Sequence, residues 1–119
     1  MRRVLIVEDV LEVRQVVAEY LRQSNYLVDE ASNGVEGLAR MRESLPDVVL
    51  LDLVMPFMDG REFLAACREQ CELASVPIII LSGDLRLPQA AERKSARASL
   101  VKPVDLDVLR AIVERVVSS

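Results

Sequence analysis

The chain predicts an α/β domain, a single doubly wound five-stranded parallel sheet with helices on both faces. Three observations carry this. Short apolar runs recur along the 119 residues, each followed by a stretch with helical spacing. Two of the runs, Val48 to Leu51 and Ile78 to Leu81, have no polar alternation. Strands of that kind are covered on both faces, as in a parallel sheet between helices. Finally, carboxylates, a hydroxyl and an ammonium stand directly after the runs, where open α/β sheets place their ligands.

Taken in order, Val4-Leu5-Ile6-Val7 is a first buried strand, followed at once by Glu8-Asp9. Val13, Val16, Val17, Tyr20 and Leu21 then recur at helical spacing, which places Glu12, Arg14, Glu19 and Arg22 outward. Ser24-Asn25 ends this helix. Leu27 to Ala31 alternates enough to be a strand nearer the sheet edge. Ser32-Asn33-Gly34 reads as a turn and cap into a helix whose apolar stripe is Val35, Leu38 and Met41. Pro46 separates that helix from the strand Val48 to Asp52, and Pro56 and Gly60 break the chain open beyond it. Phe63, Leu64 and Cys67 mark a third helix extending to about Glu72. Val76 to Leu81 is the fourth strand, with Pro77 tolerable only at its start. A short helix from about Pro88 is expected because proline suits a first helical position. Ser99-Leu100-Val101 forms the fifth strand, ending at Lys102-Pro103. Asp105 caps a last helix with Leu106, Leu109, Ile112, Val113 and Val116 inward. Five β-α units without repeat, linker or second domain make residues 1–119 one domain, and the common order for such a sheet is the flavodoxin-like 2-1-3-4-5.

Composition narrows the function. The chain is 51% apolar and 29% charged, a globular balance. A net charge of -4 gives this domain no reason to bind nucleic acid or an anionic membrane. No apolar run nears the roughly 18 residues of a membrane span. Met1-Arg2-Arg3 starts like a signal peptide, but Glu8 and Asp9 cut the apolar run short, so a cytoplasmic location is expected. The chain has no histidine. That excludes His-based metal sites, Ser-His and Cys-His catalysis, and a phosphohistidine carrier role. Cys67 and Cys71 are expected on one helix face, about 5–6 Å apart at Cβ, too wide for a disulfide. They read as reduced thiols packed as small apolar groups.

In a parallel sheet all carboxyl ends lie on one edge, so Glu8, Asp9, Asp52, Ser82 and Lys102 converge. Singly, Asp9 and Ser82 could be helix caps and Lys102 a surface lysine. Asp52 alone could be a cap, a metal ligand or a nucleophile. Together they ask for a cation. Two like charges 4 Å apart repel by about 4 kcal/mol at an effective dielectric of 20. Lys102 supplies one positive charge, and Mg²⁺, a hard ion content with one or two carboxylates, waters and a phosphate oxygen, fits the remainder. Such an assembly stabilises a transferring phosphoryl group, and Asp52 is placed centrally enough to attack it.

Val7-Glu8-Asp9, Leu51 to Gly60, Leu81-Ser82-Gly83 and Val101-Lys102-Pro103 together resemble the receiver domain of two-component response regulators, over essentially the whole chain. The resemblance implies that Asp52 accepts a phosphoryl group from a phosphohistidine on a histidine kinase or histidine phosphotransfer protein. It implies Mg²⁺ held by Asp9 and Asp52, by the Val54 carbonyl, and by Glu8 through water. Ser82 and Lys102 would contact phosphoryl oxygens, and the Lys102-Pro103 peptide would be cis. The protein would then signal to a downstream partner, as a stand-alone regulator, a relay intermediate or part of a longer chain. It would catalyse nothing but its own phosphorylation and dephosphorylation. Three positions depart from the family. Ser99 occupies the slot of an aromatic residue, Ser95-Ala96-Arg97-Ala98 replaces a Gly-Ala-acidic-acidic lead, and the Ser82–Lys102 gap is about two residues short, with Pro88 inside it. They leave an alternative open: a pseudo-receiver that binds partners with a silent switch. An aspartyl-nucleophile phosphatase is disfavoured because Val54 stands where its acid belongs.

Overall fold

The computed structural model describes residues 1–55, 57–83 and 96–118. Strands β1 (Arg3–Val7), β2 (Leu27–Ala31), β3 (Val48–Asp52), β4 (Ile78–Ser82) and β5 (Ala98–Val101) form one parallel sheet in the order β2-β1-β3-β4-β5. The described helices are α1 (Leu11–Gln23), α2 (Gly34–Glu43), α3 (Gly60–Arg68), the single turn α4 (Cys71–Ala74) and α5 (Leu106–Ser118). The helix expected from Pro88, with Asp84, Arg86, Arg93 and Lys94, lies outside the described residues.

Two cores flank the sheet, divided by the period of two along each strand. Val4, Ile6, Val48, Leu50, Ile79 and Leu81 pack with Val17, Leu21, Leu109 and Val113 of α1 and α5. Leu5, Val7, Val49, Leu51, Ile78 and Ile80 pack with Leu38, Met41, Phe63 and Leu64 of α2 and α3. Every residue of β3 and β4 is buried, which accounts for their unbroken apolar runs.

The helices correct several expectations. On α1 the buried residues are Val17, Ala18 and Leu21, while Val16 is exposed. The inward stripe is therefore 14-17-18-21, and Arg14 lies on it. On α2 the buried set is Gly34, Gly37, Leu38 and Met41, with Val35 exposed. The third helix stops at Arg68, and α4 begins separately at Cys71. Cys67 and Cys71 therefore do not share a helix: Cys67 is buried against Met41, with Sγ 3.7 Å from Sδ, whereas Cys71 is exposed. Cys71 is thus not a packed thiol.

Other local readings hold. Asn25 follows α1 at φ 72, the left-handed position where asparagine commonly ends a helix. The Asn33 side chain accepts the Glu36 N–H at the start of α2. Asp105 accepts the Asp107 and Val108 N–H groups at the start of α5. The Lys102-Pro103 peptide is cis. Among the described residues, no helix is long and apolar enough to cross a membrane.

Candidate functional site: an acidic cleft at the carboxyl edge of the sheet

The register of the sheet assembles the cleft. Val7 pairs with Leu51, so Glu8 and Asp52, each one residue further on, reach the same level. Asp52 pairs with Leu81, and Ser82 with Val101, which sets Ser82 and Lys102 one step beyond. The Lys102 N–H donates to the Ser82 carbonyl at 2.7 Å, tying those two chain ends together. A cleft of about 390 Å³ opens here, lined by Asp9, Val10, Asp52, Val54, Ser82, Gly83 and Lys102. It lies where the chain order reverses about β1, the switch point at which such sheets bind ligands.

Glu8, Asp9 and Asp52 each bring a carboxylate oxygen within 4.8 Å of the others. Asp9 does not cap α1, whose first turn starts after Val10 without a side-chain cap. Glu8 and Asp52 are only 1% and 5% exposed, a degree of burial that charged groups tolerate only when paired. The Lys102 ammonium pairs with Glu8 Oε1 and lies 3.4 Å from Asp52 Oδ2. Asp52 Oδ1 also accepts the Val54 N–H at 3.2 Å.

One lysine does not neutralise this set. Burial first, and then contact with Glu8, push the Asp52 carboxyl up to about 7, against the opposing pull of Lys102 and the Val54 N–H. Burial works against the charge on Lys102, yet Glu8 and Asp52 outweigh it and hold the ammonium above its ordinary range. Among the described residues, the site is therefore short of positive charge, and its clustered carboxylates are hard oxygen donors. Those donors suit Mg²⁺ and would not suit a soft metal.

The structure brings all the predicted side chains together and adds one that the sequence reading placed outward. Arg14 Nη1 donates to the Glu8 carbonyl at 2.9 Å, and its Nε lies 3.2 Å from Glu30 Oε1. It thus holds the end of β1 from α1. The signal was available in its spacing, three and four residues before the buried Val17 and Ala18.

The family model of the response regulator receiver domain matches residues 4–114. The chain belongs to this family. The receiver is 32% identical over 113 residues to sporulation initiation phosphotransferase F of Bacillus subtilis, a match covering 95% of this chain and 91% of that protein. It is 41% identical over 80 residues to the transcriptional regulatory protein ResD of the same organism, covering 67% of this chain and 32% of that one. The chain thus spans about a third of the longer regulator. Among solved structures it resembles the response regulator TrrA of Thermotoga maritima in complex with Mg²⁺-BeF, with TM-score 0.87, 28% identity and 98% and 99% of the two chains covered.

Proposed function

We propose that this receiver takes a phosphoryl group onto Asp52 from a phosphohistidine of a partner kinase or phosphotransfer protein, with Mg²⁺ in the cleft. The observation that carries the reading is the cluster of Glu8, Asp9 and Asp52, with carboxylate oxygens within 4.8 Å and, among the described residues, Lys102 paired with Glu8 and Asp52. A relative named as a phosphotransferase and a fold relative solved with Mg²⁺-BeF support it.

Asp9, Asp52 and the Val54 carbonyl would hold the ion directly, with Glu8 acting through water. When bound, the ion supplies positive charge to the phosphoryl oxygens and draws the Asp52 carboxyl into its ionised form. An Asp52 oxygen then attacks phosphorus, forming an O–P bond. The P–N bond to the donor imidazole breaks, and the ring nitrogen keeps the electron pair and takes a proton from solvent. Lys102 lies against Asp52 and would pair with a phosphoryl oxygen as charge develops there. Ser82, at the neighbouring strand end, would bond another. The product is an acyl phosphate on the protein itself. In this reading the receiver is a substrate that assists its own modification, passing the signal to a downstream protein through a conformational change.

Incubation with phosphoramidate or acetyl phosphate and Mg²⁺ should add about 80 Da, one phosphoryl group, to the wild type and nothing to Asp52→Asn. Equal labelling of the two in a mass spectrum would overturn the assignment.

A further inference from the structure

Between β3 and α3, the described residues 53–55 and 57–59 belong to no strand or helix, and Val54 among them lines the cleft. The ends of this loop are fixed locally. The Gly60 N–H donates to the Leu53 carbonyl at 3.0 Å, and Asp59 and Glu62 form a capping box at the start of α3. Its later part is held from outside. The Gly34 N–H donates to the Met58 carbonyl at 2.9 Å. The first N–H groups of a helix have no acceptor within it, so the start of α2 has a donor to lend.

That contact requires glycine, for reasons of space. A Cβ at position 34 would lie 2.6 Å from Met58 Cγ, 2.7 Å from the Met58 carbonyl oxygen and 2.8 Å from Met58 Cβ. Any side chain there pushes the loop away from α2. Phe57, directly before Met58, sits at φ 64, a conformation non-glycine residues rarely adopt. The loop therefore holds an unfavourable turn at the point where α2 grips it.

We propose that Gly34 is a positioning residue of the phosphoacceptor cleft: its bare N–H holds the β3–α3 loop, and through it the Val54 carbonyl, where Mg²⁺ is bound. The proposal rests on the Mg²⁺ reading above. α2 supplies its own control. A Cβ at Gly37, one turn on, would meet Phe63 Cε1 at 2.8 Å and Val7 Cγ2 at 3.0 Å, both in the core and neither on the loop.

The test is a Mg²⁺ titration of the wild type, Gly34→Ala and Gly37→Ala, followed by amide NMR, alongside hydrogen exchange without metal. Gly34→Ala should bind Mg²⁺ about tenfold more weakly, the scale of losing an outer-shell support. It should also speed metal-free exchange at Gly60 relative to Ile79. Gly37→Ala should melt earlier yet bind Mg²⁺ like the wild type. Unchanged Mg²⁺ affinity in Gly34→Ala, or an equal loss in Gly37→Ala, overturns the proposal. Should Gly34→Ala not fold, exchange of the wild-type Gly34 N–H decides: slowing on addition of Mg²⁺ supports the tether, and no change refutes it. If the wild type binds no Mg²⁺, the functional reading falls instead, and metal-free exchange at Gly60 alone decides whether Gly34 holds the loop.

Discussion

Asp52 is a carboxylate kept in surroundings that favour its proton. Its folded-state pKa of about 7 exceeds the ordinary 3.8. The stabilising effect of that retained proton is complete below about pH 3.8 and is lost as pH rises through 7. Asp52→Asn removes the titration, so its melting temperature relative to wild type should climb between pH 4 and pH 7 in metal-free buffer and then level off. A constant difference across that range would show that the carboxyl does not titrate there. Lys102→Met should be costly, by roughly 3–5 kcal/mol in urea unfolding, because it leaves the buried Glu8 without its partner. The pocket residues were legible in the sequence because each stands at the end of an apolar run, and register does the rest. Arg14 was not. A charged residue on a helix scores as outward unless one asks what its head group could reach, and here it reaches the Glu8 carbonyl.

The helices show why apolar spacing misleads by a residue. On α1 and α2 the expected stripes were drawn through Val16 and Val35, which face solvent, and missed Ala18, Gly34 and Gly37, which are buried. A helix that comes close to a sheet or loop does so over small residues, which contribute little hydrophobicity and so vanish from the pattern. The caps were readable because they depend on local chemistry. Asn33 and Asp105 each accept N–H groups from the turn they precede. Asp59→Ala, which dissolves the capping box of α3, should lower stability by about 1 kcal/mol while leaving the core residues Phe63 and Leu64 in place. The break between α3 and α4 was missed because Phe63, Leu64, Cys67 and Cys71 keep helical spacing across it; the chain leaves the helix at Glu69–Gln70 without a glycine or proline to announce it.

At the scale of the molecule, the fold class followed from strands buried on both faces, while the strand order rested on the common arrangement of a five-stranded sheet of this kind. What the sequence left open is output. Ser99 pairs with Ile80 in the register of β5 and is exposed at the sheet edge, so no aromatic ring is there to swing inward. Beryllofluoride with Mg²⁺ should still shift the amides of Ser82 and Lys102, whose backbones are joined by a hydrogen bond. Shifts that extend through β5 to Ala98 would indicate a working switch without the aromatic. Shifts that stop at Lys102 would indicate a receiver that is loaded without telling its surface.

The chain has no histidine, the side chain that ordinarily changes charge near neutral pH. Asp52 therefore has little company in that range, and its proton becomes a counter for what enters the cleft. A cation bound there at pH 7 should expel a fraction of a proton per protein, visible as a calorimetric heat that changes with the ionisation enthalpy of the buffer. The same titration at pH 9, where the carboxyl is already ionised, should give one heat in every buffer.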